Sequence, residues 1–300
     1  MNAQPRPVPD PARLAADVLA LSVVRHPVAA PGALAAAEDY VALELSAAGL
    51  RVERQLFEWR GTEFHNVVAT RDGSEPALPM VVVGAHFDTR ADTPGADDNA
   101  SGVAAMLEVA RMLRGERLRA TVQLVGFNLE ELQKKPLHYA LGSRAYARWL
   151  RSGGYRVAGA LVLEMLGYTD LKQGAPPGAR LFANVPREGN FLSAVGDWQS
   201  RALLAAFQRA AAPHLPVSGL TVPFRGWLLP DTRRSDNCRF WDEGYPALMV
   251  TDTADFRNPH YHRTSDTPDT LDYTFLTNAT AAVAAAVREL AGAAREARAA

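Results

Sequence analysis

Runs of apolar residues divide the chain into alternating helices and strands. Apolar positions spaced three to four residues apart predict helices, and short continuous apolar runs predict strands that are buried on both faces. The predicted helices are Pro11–Val24, Pro31–Ala48, Asn99–Leu113, Ser143–Arg151, Trp198–Ala211 and Ala279–Ala299. The predicted strands are Arg51–Glu58, Asn66–Thr70, Met80–Ala85, Thr121–Phe127, Ala158–Leu163 and Ala247–Val250.

This alternation favours an α/β fold with three layers. We predict a mixed, mostly parallel sheet that is flanked by helices on both faces, as in the α/β/α architecture. We find no internal repeat and no Gly- and Ser-rich linker within the 300 residues. The whole chain, 1–300, is therefore predicted to form one domain, with a loosely packed or disordered N-terminus over 1–10.

Composition and charge exclude several classes of partner. The formal net charge is −1 and the isoelectric point is near 6.7, so no overall field attracts nucleic acid or an anionic membrane. No apolar stretch is long enough to span a bilayer, and the segment Met1–Asp10 has no apolar core typical of a secretory signal. We expect a cytoplasmic protein that binds neither nucleic acid nor membranes, whereas its oligomeric state cannot be predicted from the sequence.

The single cysteine, Cys238, limits the chemistry of any metal site. One cysteine cannot form a disulfide within the chain, and it cannot build a cysteine-rich zinc site. Any metal would therefore be bound by histidine and carboxylate side chains.

Acidic and histidine residues follow the predicted strands. In chain order they are His86, Asp88, Asp98, Glu130, Glu131 and Glu164. Because the carboxyl ends of parallel strands meet at one edge of a sheet, we expect these side chains to converge there.

Most of these residues also have an ordinary structural explanation. A histidine after a strand is more often solvated than metal-bound. The segment Asp97–Ser101 could cap a helix, and Glu130-Glu131 could be a solvent-exposed pair on the surface. Glu164 differs because it lies among apolar residues, where an unpaired carboxylate is costly to bury. Taken together, the set predicts a metal site.

The same residues carry a resemblance to a known family. The motifs are His86-Phe87-Asp88, Gly95 to Gly102, Glu130-Glu131, Gly142-Ser143, Arg234-Ser235-Asp236, Tyr261-His262 and Asp266-Thr267. In this order they resemble the co-catalytic dizinc aminopeptidases, zinc exopeptidases that also include glutamate carboxypeptidases and glutaminyl cyclases. The resemblance extends from about His65 to Tyr273 and implies a zinc-exopeptidase fold of the phosphorylase/hydrolase-like type.

The resemblance implies two Zn²⁺ ions per chain, with Mn or Co as alternative metals. The implied ligands are His86, Asp98, Glu131, Glu164 and His262. Asp98 would bridge the two ions and precede a cis peptide bond. His86 and Glu164 would complete one site, and Glu131 and His262 the other.

The resemblance also implies catalytic roles. Glu130 would be the general base, Tyr261 would donate a hydrogen bond to the oxyanion, and Asp88 would orient the His86 ring. Arg234 would contact the substrate or product.

The chain departs from the family pattern at three places, which are Glu164, Asn237 and the stretch Leu132–Leu141. Glu164 stands where many relatives carry Asp, which could alter the preferred metal. The stretch Leu132–Leu141 differs from the usual short link, so we expect it to border the substrate cleft and affect specificity. His260 is a rival to His262 as ligand, ranked second because it lacks the Tyr-His order.

We expect the chain to be a zinc-dependent exopeptidase. Among exopeptidases we favour an aminopeptidase that acts on a peptide or aminoacyl substrate. Two alternatives remain open. One is a single-zinc acyltransferase resembling glutaminyl cyclases, and the other is a non-catalytic binding scaffold.

Overall fold

A computed structural model describes residues 7–132, 140–175 and 185–292. Within these residues, eight strands form one mixed sheet in the order β1-β2-β4-β3-β5-β8-β6-β7. The strands are β1 (Arg51–Trp59), β2 (Thr62–Arg71), β3 (Met80–His86), β4 (Val122–Phe127), β5 (Val157–Glu164), β6 (Leu192–Asp197), β7 (Val217–Val222) and β8 (Ala247–Thr251). The central strands β4, β3, β5 and β8 run parallel, so their carboxyl ends lie at one edge of the sheet.

Helices cover both faces of this sheet. They are α1 (Pro11–Leu21), α2 (Pro31–Ala47), α3 (Gly102–Met112), α4 (Leu141–Ser152), α5 (Arg201–Ala211), α6 (Asn237–Asp242) and α7 (Tyr273–Leu290). Apolar residues of α1, α2, α3, α5 and α7 form one hydrophobic core, and those of α6 and of α4 after its first residue form a second core on the opposite face. The three-layer α/β/α prediction is therefore confirmed. None of the helices described is long and apolar enough to cross a membrane.

Strand β3 shows how the sheet is held between the two cores. All seven of its residues are buried. Val81 and Val83 belong to one core and Val82 to the other, because successive side chains of a strand point to opposite faces. This explains why an uninterrupted apolar run, rather than an alternating one, marks this strand in the sequence.

The apolar pattern did not predict β6, β7 or α6. Strands β6 and β7 contain Gly, Ser and Thr among their apolar residues, so neither forms the continuous run that marks β3 or β5. Helix α6 has only six residues, which is too short to show a helical period.

Four helix starts also differ from the prediction, and the backbone gives the reason for two of them. Helix α3 begins at Gly102 rather than Asn99, because Asp98 and Asn99 have non-helical backbone angles. Helix α7 begins at Tyr273 rather than Ala279, after Asp272 accepts a capping hydrogen bond from the backbone N–H of Phe275. The last part of that predicted helix, from residue 293 onward, lies outside the described residues.

Candidate metal centre

Five side chains converge at the carboxyl edge of the sheet in two groups. In the first group, His86 Nε2 lies 3.3 Å from Asp98 Oδ1 and 3.5 Å from Glu164 Oε2. In the second, His262 Nε2 lies 2.7 Å from Glu131 Oε1 and 3.1 Å from Asp98 Oδ2. Asp98 thus contributes one carboxylate oxygen to each group, and the donor atoms within a group lie within 4.8 Å of one another.

The donor atoms fit a divalent cation. Both His86 Nε2 and Asp98 Oδ1 are buried and have no hydrogen-bond partner among the described residues. Buried polar atoms left without a partner are costly, and a cation between them would remove that cost. Imidazole nitrogens and carboxylate oxygens are ligands that zinc accepts.

The charges around His262 also favour a cation at this position. Partial burial opposes protonation of the ring, but hydrogen bonds to the carboxylates of Asp98 and Glu131 raise the pKa of His262 to about 9. The same carboxylates would stabilise a metal ion in place of the proton.

Each ligand position follows from a local element. His86 and Glu164 are the last residues of β3 and β5, which are neighbours in the sheet. Asp98 lies in the turn before α3, and the peptide bond from Asp98 to Asn99 is cis. The Asn99 side chain donates to the backbone oxygen of Leu163 at 2.8 Å and accepts from the backbone N–H of Met165 at 3.0 Å. These two hydrogen bonds join the turn to the end of β5.

Two further buried carboxylates support the turn that carries Asp98. Asp266 accepts hydrogen bonds from the backbone N–H groups of Asp97 at 2.8 Å and Asp98 at 3.1 Å. Asp97 accepts from the backbone N–H of Gly167 at 2.9 Å and from Asn258 Nδ2 at 2.6 Å. The sequence analysis assigned Asp97 and Asp266 no role, although both lie within motifs that carry the resemblance.

Asp88 contacts the loop after β4 as well as the His86 ring, and its role in orienting that ring stays a prediction. Its two carboxylate oxygens accept hydrogen bonds from the backbone N–H groups of Glu130 and Glu131, each at 2.9 Å. His86 Nδ1 lies 3.2 Å from the backbone oxygen of Asp88 and 3.5 Å from its carboxylate. The carboxylate therefore holds the loop after β4, while the backbone oxygen is the nearer partner of the His86 ring.

Glu130 lies in this loop with a buried carboxyl group. Its Oε1 atom has no hydrogen-bond partner among the described residues. Burial, together with the nearby carboxylates of Glu131 and Asp236, raises the pKa of Glu130 well above its ordinary value. A buried carboxyl group with one unpartnered oxygen and a raised pKa is suited to proton transfer.

Tyr261 and Arg234 lie on the open side of the second group. The Tyr261 ring stacks on His262 with 3.6 Å between centroids, and its hydroxyl accepts a hydrogen bond from Arg234 at 3.1 Å. Arg234 also donates to Asp255 Oδ1 at 3.0 Å. Burial and the carboxylates of Glu131 and Asp98 raise the pKa of Tyr261 well above its ordinary value, so its hydroxyl keeps its proton.

A cavity of about 100 Å³ adjoins these residues. Glu164, Arg234, Ser235 and Tyr261 border it on the side of the candidate metal centre. Its apolar lining comes from β6, β7, β8 and nearby loops and includes Phe191, Val195, Leu220, Met249 and Phe256.

Two further expectations concerned residues near the site. His260 lies outside both ligand groups, and its Nδ1 atom lies 2.9 Å from Ser265 Oγ. Most of the stretch Leu132–Leu141, residues 133–139, lies outside the described residues, so its effect on specificity stays a prediction.

Ser235 contacts a candidate ligand directly, which the sequence analysis did not anticipate. Its hydroxyl donates to Glu164 Oε2 at 2.5 Å. Replacing Ser235 with Ala should weaken zinc binding about 10- to 100-fold, because hydrogen bonds orient ligating carboxylates. Competition with a chromogenic chelator measures the change.

The exposed Ser152, whose hydroxyl bonds only to the backbone oxygen of Trp149 among the described residues, provides the control. Ser152→Ala should bind zinc as the unchanged chain does. Equal zinc affinity in Ser235→Ala would show that the hydrogen bond does not orient Glu164.

The chain is similar to known proteins in sequence and in fold. The model of peptidase family M28 matches residues 66–287. The uncharacterized protein YfbL of Escherichia coli is 33% identical over 247 residues, which are 78% of this chain and 74% of that protein. A probable zinc metalloprotease of Leptosphaeria maculans is 32% identical over 205 residues, 62% of this chain and 46% of its own. The chain thus spans about half the length of this zinc-protease relative.

Solved structures share the fold. The LapA aminopeptidase of Legionella pneumophila superposes with a TM-score of 0.73 at 18% identity, covering 94% of this chain and 72% of its own. Porphyromonas gingivalis glutaminyl cyclase also gives 0.73, at 19% identity, covering 94% of this chain and 99% of its own. At these identities the two likenesses show the fold alone. Because the family model matches most of the chain, this protein belongs to peptidase family M28, a family of zinc metallopeptidases.

Proposed function

We propose that the chain is an aminopeptidase that uses two zinc ions to hydrolyse the peptide bond after an N-terminal residue. The observation that carries this proposal is the pair of ligand groups that share Asp98. The buried carboxyl group of Glu130 supports it: its Oε1 atom has no hydrogen-bond partner among the described residues, and Glu130 is next in the chain to the candidate ligand Glu131.

In the proposed mechanism, five side chains bind the metal ions and a sixth transfers a proton. His86 and Glu164 would hold one ion, Glu131 and His262 the other, and Asp98 would bridge them. When bound, the zinc ions supply Lewis-acid activation of water and of the scissile carbonyl group. Glu130 accepts the proton of the attacking water and returns it to the leaving amine.

Tyr261 is positioned to stabilise the developing oxyanion. Its hydroxyl already accepts a hydrogen bond from Arg234, so its own proton is available to donate to the negatively charged oxygen. The raised pKa of Tyr261 supports this role, since only the protonated phenol can donate.

The charges that line the cavity favour a free amine over a free carboxylate as the recognised substrate terminus. Arg234 is the one basic residue that lines the cavity in the described part of the chain. It is already paired with Asp255 and lies 3.5 Å from Asp231, and both of these carboxylates also line the cavity. A carboxypeptidase needs an available cation for the substrate carboxylate, whereas an excess of carboxylates attracts an ammonium group.

The apolar lining of the same cavity favours an apolar first residue. Burying a hydrocarbon side chain against Leu220, Met249 and Phe256 stabilises the complex by about 0.8 kcal/mol per CH₂ group. An acidic side chain would lose its hydration there and would be repelled by the carboxylates of Asp231 and Asp255.

A panel of aminoacyl p-nitroanilides tests this proposal. Leucyl and methionyl substrates should have kcat/KM at least tenfold above glycyl and aspartyl substrates, and N-acetylation of the leucyl substrate should abolish cleavage. EDTA should remove activity and Zn²⁺ should restore it, with metal content measured on the same sample. Faster cleavage of an N-blocked peptide with a free carboxyl terminus would contradict the proposal.

The fold shared with a glutaminyl cyclase supports one alternative, a single-zinc acyltransferase acting on N-terminal Gln. Incubation with a Gln-initiated peptide separates the two reactions, because cyclisation releases ammonia while peptidase activity releases glutamine. Ammonia release with one zinc ion per chain would favour the cyclase. No turnover of either kind in the zinc-loaded chain would favour a binding scaffold.

A further inference from the structure

Arg25 is a fully buried arginine whose side chain bonds only to the backbone among the described residues. Its guanidinium donates to the backbone oxygen of Phe87 at 2.6 Å, Val23 at 2.9 Å, Pro94 at 3.0 Å and Gly95 at 3.2 Å. No carboxylate in the described part of the chain forms an ion pair with it. The residue therefore differs from most buried charges in proteins, which are paired.

Three of the four carbonyl groups that Arg25 contacts belong to the two segments that carry candidate ligands. Phe87 directly follows His86 at the end of β3, and Pro94 and Gly95 directly precede the turn that carries Asp98. The backbone of Arg25 adds two more links to the first segment. Its N–H donates to Thr89 Oγ1 at 2.8 Å, and its carbonyl oxygen accepts from the Thr89 backbone N–H at 2.9 Å.

Arg25 remains charged in this environment. Burial lowers the pKa of its guanidinium to about 10, and the carboxylates of Asp88, Asp98 and Asp266 limit the decrease. At neutral pH the side chain is therefore a cation placed close to a site that fits other cations. Such a charge opposes metal binding electrostatically, so its benefit to the site has to come from geometry.

We propose that Arg25 is a positioning residue for the metal centre, which holds the segments after β3 and before α3 so that His86 and Asp98 face one metal ion. This inference rests on the proposed two-metal function. The inference also means that the metal centre depends on a residue outside 66–287, the range that the family model matches, because Arg25 precedes that range.

The geometric and electrostatic effects of Arg25 predict opposite results for its removal. If only its charge mattered, Arg25→Gln would tighten zinc binding, because a repelling cation is gone. If its hydrogen bonds position the two segments, Arg25→Gln should weaken binding of at least one zinc ion about 10- to 100-fold. Arg25→Lys separates these effects further. Lysine keeps the positive charge, but its single ammonium group cannot donate hydrogen bonds to all the carbonyl groups that the planar guanidinium contacts.

The test measures zinc affinity by chelator competition on the full chain and records the visible absorption spectrum after Co²⁺ substitution. We expect both Arg25→Gln and Arg25→Lys to weaken zinc binding and to change the Co²⁺ spectrum. Arg288→Gln is the control, because Arg288 is also nearly buried but bonds to Glu116 and the backbone of Met112, at the end of α3 away from Asp98. It should keep the zinc affinity and spectrum of the unchanged chain even if its melting temperature falls.

Two results would overturn the inference: unchanged or tighter zinc binding in Arg25→Gln, or a fully native affinity and spectrum in Arg25→Lys. If Arg25→Gln fails to fold, the lysine variant alone decides. The unchanged chain is measured first, and its failure to bind zinc would count against the proposed function itself. Zinc binding by that chain, with both Arg25 variants equal to it, would count against the positioning role only.

Discussion

Replacing Glu130 with Gln should lower kcat about 10³-fold while the chain keeps its zinc. An amide has the shape of the carboxyl group but cannot accept the proton of the attacking water. The loop should stay in place, because Asp88 holds it through the backbone N–H groups of Glu130 and Glu131, which the substitution leaves intact. Steady-state kinetics on the best p-nitroanilide substrate, together with the zinc content of the same preparation, measures both effects.

The neighbouring residue supplies the matched control. Glu131→Gln makes the same chemical change one position along the chain, at a carboxylate that lies 2.7 Å from His262 Nε2. This variant should lose zinc as well as activity. Nearly full activity in Glu130→Gln would exclude Glu130 as the base, and loss of zinc from that variant would show that it acts as a ligand.

Replacing Asp98 with Ala should remove both zinc ions and reduce activity to background. Asp98 is the one residue in both ligand groups, so its loss leaves His86 with Glu164 on one side and His262 with Glu131 on the other. Two ligands from the protein are too few for tight zinc binding, since catalytic sites use three. Zinc per chain after extensive dialysis, determined by elemental analysis, measures the effect.

His262→Ala provides the comparison because His262 belongs to one group only. It should retain about one zinc ion per chain, held by His86, Asp98 and Glu164. Equal loss of zinc in the two variants would indicate that the ions bind as a unit, and full retention in Asp98→Ala would contradict the bridging role.

The convergence of the candidate ligands could be predicted largely from strand positions. His86 and Glu164 end neighbouring parallel strands, and the apolar runs of β3 and β5 were clear enough to locate both ends. Position alone could not separate His262 from His260. We chose His262 from the resemblance to the family. In the structure, the His262 ring faces Asp98 and Glu131, whereas the His260 ring does not.

The supporting contacts could not be predicted because they depend on tertiary packing. No local pattern indicates that the carboxylate of Asp88 accepts from the loop after β4, or that Arg25 reaches carbonyl groups more than sixty residues away in the chain. The lining of the cavity was missed for a different reason. It comes partly from β6 and β7, where Ser193 and Ser218 interrupt the apolar runs and turn toward the cavity.

The shared carboxylate of Asp98 has a consequence for the folded chain as a whole. The ligand groups that it joins connect the end of β3, the turn before α3, the loop after β4, the end of β5 and the loop before α7. Bound zinc would thus cross-link segments from both halves of the sequence, much as a disulfide does in chains with more than one cysteine. Ligand binding to the native state at 100 times the dissociation constant adds about 2.7 kcal/mol to stability. The supply of zinc in the surroundings would then help to determine how long the folded chain survives, and not only how fast it works.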